Sequence, residues 1–157
     1  MKKVIIYGGI IVLLFISLAV VTTMKQTEQS AGNPYGKDRL NPATIELLDD
    51  PNYQNVILPD ELDEKLSKGE NVTVYFYKSD CPYCKEATPR LVPLAEELGV
   101  EIVQYNLLEF EQGWRDYGIE STPTLVHFEA GKEKGRVVGA APNEGFEAFL
   151  NEYALNK

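Results

Sequence analysis

The chain has 157 residues, of which 44% are hydrophobic and 25% charged, and its formal net charge is −9. This composition is typical of a globular protein, and the part after the apolar N-terminal stretch, about 120 residues, suffices for one ordinary domain. An acidic domain is repelled by phosphate backbones, which argues against nucleic-acid binding. The two cysteines, Cys81 and Cys84, are too close in sequence to join distant parts of the chain, so a scaffold held by disulfides is excluded.

The N-terminal segment predicts a membrane-spanning helix. Residues 4–21 carry no charge and just reach the length that crosses the core of a bilayer. Lys2 and Lys3 precede this run, so the positive-inside rule predicts a single-pass protein of the cell membrane, with a cytoplasmic N-terminus and an extracytoplasmic domain. The alternative is a cleaved secretory signal, because Ser17-Leu18-Ala19 offers the small residues that a signal peptidase requires. Under both interpretations the domain is exported from the cytoplasm.

Three regions are expected along the chain. Residues 1–24 form the membrane anchor or uncleaved signal. Residues 25–41 are polar and nearly lack large aliphatic side chains, which predicts a flexible linker. Residues 42–157 then form one folded domain.

The domain is predicted to contain alternating helices and strands. In chain order the predicted elements are a helix at 42–48, a strand at 55–58, a helix at 60–68, a strand at 72–77, a helix at 82–98, a strand at 100–105, a helix at 110–117, strands at 124–128 and 136–139, and a helix at 144–154. Alternation of this kind favours parallel pairing, whereas the short turn at 130–132 pairs the last two strands antiparallel. The fold class is therefore α/β, a mixed sheet flanked by helices on both faces.

The two cysteines lie between a predicted strand and a predicted helix. Free backbone N–H groups and the helix dipole favour an anion at such a helix N-terminus, so the thiol of Cys81 is biased toward the thiolate. A thiolate attacks a disulfide, and a second cysteine one turn later can resolve the mixed disulfide. The pattern therefore predicts Cys81 as the exposed nucleophile and Cys84 as the buried resolving thiol.

Two other interpretations of the cysteine pair are weaker. A tetrahedral zinc site needs about four ligands, and only His127 is left to add, so we expect no metal. His127 itself is interpreted as a half-buried strand residue. A permanently closed disulfide would close so small a loop that it adds little stability. No bound cofactor is expected for a redox-active pair, because the two sulfurs carry the electrons.

The segment from about residue 55 to residue 153 resembles a thioredoxin-fold protein. The resemblance depends on Cys81-Pro82-Tyr83-Cys84, on Pro89 within the following helix, and on the segment Gly118-Ile119-Glu120-Ser121-Thr122-Pro123-Thr124-Leu125. It implies a thioredoxin-like fold and thiol–disulfide oxidoreductase activity on protein thiols and disulfides. It also implies that Pro123 is a cis proline facing the cysteines, and that Thr122 hydrogen-bonds an extended substrate. Pro82 and Tyr83, between the cysteines, are expected to contact substrate as well.

The chain departs from thioredoxins at three places. Tyr75 stands where the family has a buried aspartate, Gln104 aligns with the lysine near it, and Asp80 replaces a tryptophan. Without that acid–base pair, the proton of Cys84 must leave through water or a peripheral group such as Glu101. These departures argue against a fast general reductase.

Together these observations predict a membrane-tethered, extracytoplasmic thiol–disulfide oxidoreductase that acts on exported proteins or on a membrane redox partner. Pro82-Tyr83 is similar to the dipeptide of glutaredoxins and of some periplasmic disulfide isomerases, which favours an oxidase or isomerase. The alternatives are an exported reductase supplied by a membrane electron donor, and a non-enzymatic accessory module that binds a client. The protein is expected to be a monomer.

Overall fold

The helices and strands follow the predicted order through most of the chain. The computed structural model describes residues 2–155, with the side chains of residues 2–6, 26 and 29 outside the description. The elements are α1 (Lys2–Gln29), α2 (Pro42–Ile45), a 3-10 turn (Pro51–Tyr53), α3 (Pro59–Ser67), β1 (Val72–Tyr77), α4 (Pro82–Leu98), β2 (Ile102–Asn106), α5 (Gly113–Asp116), β3 (Thr124–Glu129), β4 (Lys132–Val138), α6 (Asn143–Phe149) and a final π-helical turn (Leu150–Ala154).

The four strands form one mixed sheet in the order β2-β1-β3-β4. Strand β1 is parallel to β2 and antiparallel to β3, and β3 is antiparallel to β4. All six residues of β1 are buried, as a run of β-branched and aromatic side chains favours. The predicted parallel portion and the antiparallel last pair are both confirmed.

Helices cover both faces of the sheet because the side chains of β1 alternate between two hydrophobic clusters. Val74 and Phe76 belong to the cluster that contains Leu62 of α3. Tyr75 and Tyr77 belong to the cluster on the opposite face, with the apolar residues Leu91 of α4 and Phe146 of α6. The expected α/β fold with helices on both faces is therefore confirmed.

A two-residue turn joins β3 to β4. Ala130 has φ 50° and Gly131 has φ 73°, both in the left-handed region that this kind of hairpin turn requires. A Cβ atom at Gly131 would also collide with the carbonyl oxygen of Leu66, so only glycine fits there.

The predicted strand at 55–58 is wrong in extent, since the structure has only a single parallel bridge between Val56 and Gln104. Two backbone hydrogen bonds accompany the bridge, from the N–H of Ile57 to the carbonyl of Gln104 (3.0 Å) and from the N–H of Gln104 to the carbonyl of Asn55 (2.8 Å). Helix α3 begins directly afterwards at Pro59, which leaves no length for a strand. The helix predicted at 110–117 is likewise reduced to Gly113–Asp116.

The structure also differs from a flexible linker over residues 25–41. Helix α1 continues to Gln29, and residues 30–41, here called the strap, lie on the domain. Tyr35 and Leu40 are each only 3% exposed, within the cluster on the α3 face of the sheet. Lys37 pairs with Glu109 (3.3 Å) and lies over the ring of Phe110. Two large apolar side chains thus order a segment whose average composition is polar.

Helix α1 contains the candidate membrane span. Its segment Tyr7–Lys25 is long and apolar enough to cross a membrane and is not buried by the rest of the protein. A signal sequence near an N-terminus has the same properties. The predicted orientation depends on Lys2 and Lys3, whose side chains lie outside the described residues.

Candidate functional site

Cys81 caps the N-terminus of α4. Its backbone is extended (φ −84°, ψ 119°), and its sulfur accepts a hydrogen bond from the backbone N–H of Cys84 at 3.4 Å. The same sulfur lies 3.5 Å from the carbonyl oxygen of Thr122. Cys81 is partly exposed, Cys84 is completely buried, and both thiols are free. The structure thus agrees with the expectation that Cys81 is the more exposed of the two thiols and Cys84 the buried one.

The environments of the two thiols move their pKa values in opposite directions. Partial burial by itself raises the pKa of Cys81. Hydrogen bonds with Thr122 and Cys84 lower it by more than burial raises it, so the pKa falls below the ordinary value. Burial raises the pKa of Cys84 to about 12, and its hydrogen bond with Cys81 adds to this rise. Cys81 is therefore the thiol that ionises first, whereas Cys84 stays protonated at neutral pH.

Thr122 and Pro123 lie beside Cys81 and are joined by a cis peptide bond, as the resemblance implies. The carbonyl of Pro123 accepts a hydrogen bond from the N–H of Gly139 at 2.7 Å, which ties this turn to the end of β4. The structure therefore brings together Cys81, Cys84, Thr122 and Pro123, which the sequence placed about 40 residues apart.

Two linked hydroxyl groups lie beside the backbone carbonyl of Cys84 on its buried side. The hydroxyl of Thr88 donates to the carbonyl of Cys84 at 2.7 Å and lies 3.0 Å from the hydroxyl of Tyr75. Burial raises the pKa of Tyr75 and raises that of Tyr53 to about 12, so both phenols are neutral at physiological pH. Tyr75, at the position where the resemblance places an aspartate, is thus an uncharged hydroxyl bonded to Thr88.

The rim around Cys81 is exposed and partly apolar. Pro82 and Tyr83 both face solvent, and Tyr83 is 65% exposed. Val138 was not expected at this site from the sequence; it is 57% exposed at the end of β4 and pairs with Thr124, the residue after Pro123. A large apolar residue just before Gly139 at the end of the last strand was the available signal.

His127 and the acidic residues form no metal site in the described part of the chain. No group of three or more His, Cys, Asp or Glu side chains within residues 2–155 lies close enough to hold an ion. His127 is buried in β3, where its Nδ1 lies 2.9 Å from the hydroxyl of Thr73. Burial lowers the pKa of this histidine. These contacts are those of a core strand residue.

Comparison with known proteins identifies the family. The family model described as thioredoxin matches residues 54–152. A thioredoxin from Chlamydia pneumoniae is 34% identical over 100 residues, which cover 63% of this chain and 97% of that protein. A thioredoxin from Porphyra purpurea is 33% identical over 84 residues, 52% of this chain and 78% of that protein.

Solved structures agree with the sequence comparison. A mutant thioredoxin from Halobacterium salinarum superposes with a TM-score of 0.56 and 26% identity, covering 66% of this chain and 92% of that chain. Thioredoxin from Aeropyrum pernix gives a TM-score of 0.50 and 27% identity, covering 61% and 83%. The family match, the fold and the dithiol at the N-terminus of a helix agree. The chain therefore belongs to the thioredoxin family and is a thiol–disulfide oxidoreductase.

Proposed function

We propose that this protein is a membrane-tethered, extracytoplasmic oxidoreductase that exchanges disulfides with exported proteins, with Cys81 as the nucleophile and Cys84 as the resolving thiol. The observation that carries the proposal is the difference between the two thiols. Cys81 is partly exposed with a lowered pKa, and Cys84 is buried with a pKa of about 12. This arrangement suits one sulfur that meets substrate and one that acts only afterwards.

The exchange needs two displacements at sulfur. In the reducing direction, the thiolate of Cys81 attacks a substrate disulfide, forms a mixed disulfide and releases one substrate thiolate. Cys84 then loses its proton and attacks the sulfur of Cys81, which releases the second substrate thiolate and leaves a Cys81–Cys84 disulfide. Two electrons pass to the substrate. In the oxidising direction, a substrate thiolate attacks Cys81 of the closed pair and the same steps run in reverse.

The surroundings of Cys81 support a role in holding substrate. The backbone of Thr122 lies next to the sulfur and the cis bond to Pro123 turns it, which suits pairing of Thr122 with an extended polypeptide. The exposed Pro82 and Tyr83 add apolar contact area on the other side of the sulfur. We propose these four residues as the substrate-binding part of the site.

The proposed direction of exchange is oxidation or isomerisation. The support for this direction is the dipeptide Pro82-Tyr83 between the cysteines, together with Tyr75 and Gln104 at the positions where thioredoxins have an acid–base pair. A lowered pKa of Cys81 agrees with it, because it stabilises the reduced form of the pair. The reduction potential of thioredoxin is about −270 mV, and that of protein disulfide isomerase is about −180 mV. We expect the pair to equilibrate with glutathione well above the thioredoxin value. A potential near −270 mV would indicate an exported reductase instead.

The proposed membrane topology, a single span with a cytoplasmic N-terminus, rests on α1. A membrane redox partner is proposed in addition, because the dithiol must be reset after each exchange. The apolar segment Tyr7–Lys25 supports the span. We also propose that the protein acts as a monomer. Protease added to intact cells stripped of their wall should digest the domain while a cytoplasmic marker survives. Digestion only after lysis would place the domain inside the cell and refute the assignment.

The catalytic assignment is tested by trapping. A full-length Cys84→Ser variant should accumulate mixed disulfides with exported proteins on non-reducing electrophoresis, because the resolving sulfur is missing. The double variant with Cys81→Ser is the matched control and should trap nothing. If the single variant traps no partner, or if both cysteine variants retain function in cells, the protein acts as an accessory binding module and the catalytic proposal fails.

A further inference from the structure

The turn that carries Cys81 is attached to the body of the protein through one buried serine. Ser79 is completely buried, while its neighbours in the turn, Lys78, Asp80 and Cys81, are all at least partly exposed. The turn closes with a hydrogen bond from the N–H of Cys81 to the carbonyl of Lys78 at 3.1 Å. The side chain of Ser79 is thus the part of this turn that reaches into the interior.

Two buried polar side chains hold Ser79, and we call the cluster of the three the Ser79 anchor. Asn106, the last residue of β2, donates from Nδ2 to the Ser79 hydroxyl at 2.8 Å. The hydroxyl of Thr44, in α2, lies 3.0 Å from the same hydroxyl. All three residues are fully buried, where hydrogen bonds are strong and unmade ones are costly. The anchor therefore fixes the turn from two directions.

One arm of the anchor comes from a part of the chain outside the family match. Thr44 precedes residue 54, where the match to the thioredoxin family begins. The strap supports the same region, because the hydroxyl of Tyr35 lies 2.8 Å from that of Tyr77, the last residue of β1 before the turn. The segment before residue 54 thus contacts both the strand end and the turn that lead to Cys81.

We propose that Thr44 and Ser79 are positioning residues for the nucleophile: their paired hydroxyls hold the turn so that the sulfur of Cys81 stays on the N-terminus of α4. The contacts that depend on this placement are those from Cys81 to the N–H of Cys84 at 3.4 Å and to the Thr122 carbonyl at 3.5 Å. Of the two, the N–H of Cys84 is the donor that stabilises the thiolate, so a turn released from its anchor would let the sulfur move away from this donor and would raise the pKa of Cys81. The inference rests on the proposed role of Cys81 and adds to it a contribution from this chain's own N-terminal segment.

The test compares variants of the reduced, full-length protein. Thr44→Val keeps the shape of the side chain but removes the hydroxyl, Ser79→Ala removes the other hydroxyl with little change of volume, and Thr44→Ser restores a hydroxyl at the first position. The readout is the pH dependence of the alkylation rate of Cys81, followed by the reduction potential of the pair. We expect Thr44→Val and Ser79→Ala to raise the pKa of Cys81 and slow its alkylation at pH 7 several-fold, and Thr44→Ser to recover the original profile.

Thr73→Val is the matched control. Thr73 is also a buried threonine with a side-chain hydrogen bond, to His127 at 2.9 Å, but it lies near the opposite end of β1. It should lower the melting temperature as Thr44→Val does and leave the alkylation profile of Cys81 unchanged. An unchanged profile in both Thr44→Val and Ser79→Ala, or an equal change in Thr73→Val, would overturn the proposal.

Failure of this inference can be told from failure of the proposed function. The alkylation profile is measured on the free reduced protein and needs no substrate or partner. The proposed function fails if the unchanged protein traps no partner through Cys81, whatever the anchor variants do. If Thr44→Val does not fold, the smaller Ser79→Ala change gives the same readout.

Discussion

The two thiols of this protein should differ in reactivity by a factor of about 1,000 or more. The pKa of Cys84 is about 12, whereas that of Cys81 lies below the ordinary 9.0. At pH 7 the thiolate fraction of Cys84 is then about one in 100,000, and that of Cys81 is about one in 100 or higher. Because only the thiolate reacts with an alkylating agent, nearly all early modification should fall on Cys81.

The assay is a short pulse of iodoacetamide on the reduced full-length protein at pH 7, followed by mass spectrometry. Cleavage after Lys78 and Lys85 releases both cysteines in one peptide, and its fragment ions assign the modified sulfur. The same pulse in concentrated guanidinium chloride is the control, since unfolding removes the burial that separates the two pKa values. There the two cysteines should react at similar rates.

Burial also blocks the reagent, so the pH dependence must accompany the rate. Thiolate absorbance followed in Cys84→Ser should titrate below pH 9, and in Cys81→Ser it should titrate well above it. Alkylation of Cys84 as fast as that of Cys81 in the folded protein, or titration of the two single variants at the same pH, would refute the difference in pKa between the thiols.

Three further outcomes concern stability. Gly113→Ala should lower the free energy of unfolding in urea by about 1–3 kcal/mol, because the new Cβ would meet the ring of Tyr105 at 2.6 Å. The control Gly145→Ala, where the nearest contact of the new Cβ is 3.5 Å, should be neutral or slightly stabilising. Equal losses in the two variants would contradict this. Leu62→Ala should cost about 2–5 kcal/mol in the same assay, since this side chain is fully buried, and a loss below 1 kcal/mol would count against the core described here. Because burial raises the pKa of Cys84 from 9.0 to about 12, the unfolded chain loses this proton first above pH 9. The free energy of unfolding of the reduced protein should then fall relative to Cys84→Ser by up to about 1.4 kcal/mol per pH unit, and parallel pH profiles would contradict the sign.

The sequence predicted the features of the site that depend on local order. Cys81 and Cys84 follow a strand of β-branched and aromatic residues and open a helix, and each of these elements has a periodicity of its own. The parallel portion of the sheet followed from the alternation of strands and helices, and the antiparallel last pair followed from the short turn between them. These predictions used information that neighbouring residues carry.

Contacts between distant residues were not accessible in the same way. The hydroxyl pair of Thr44 and Ser79 joins residues 35 positions apart, and neither residue differs locally from an ordinary surface threonine or serine. Tyr35 and Leu40 lie in a polar segment whose mean composition predicts disorder, although two side chains suffice to dock it. Averages over a window cannot show which single residue fills a gap in the core.

The sheet has two outer strands, and each is protected against adding another strand. The backbone of β2 is partly capped by the hydrogen bonds of residues 55–57. Strand β4 carries Lys132, Glu133, Lys134 and Arg136 among its seven residues. Charged residues along an edge discourage pairing with a second sheet and so limit aggregation. With both edges of the sheet protected in this way, the proposed binding of an extended polypeptide beside Thr122 and Pro123 would not compete with strand pairing at an edge.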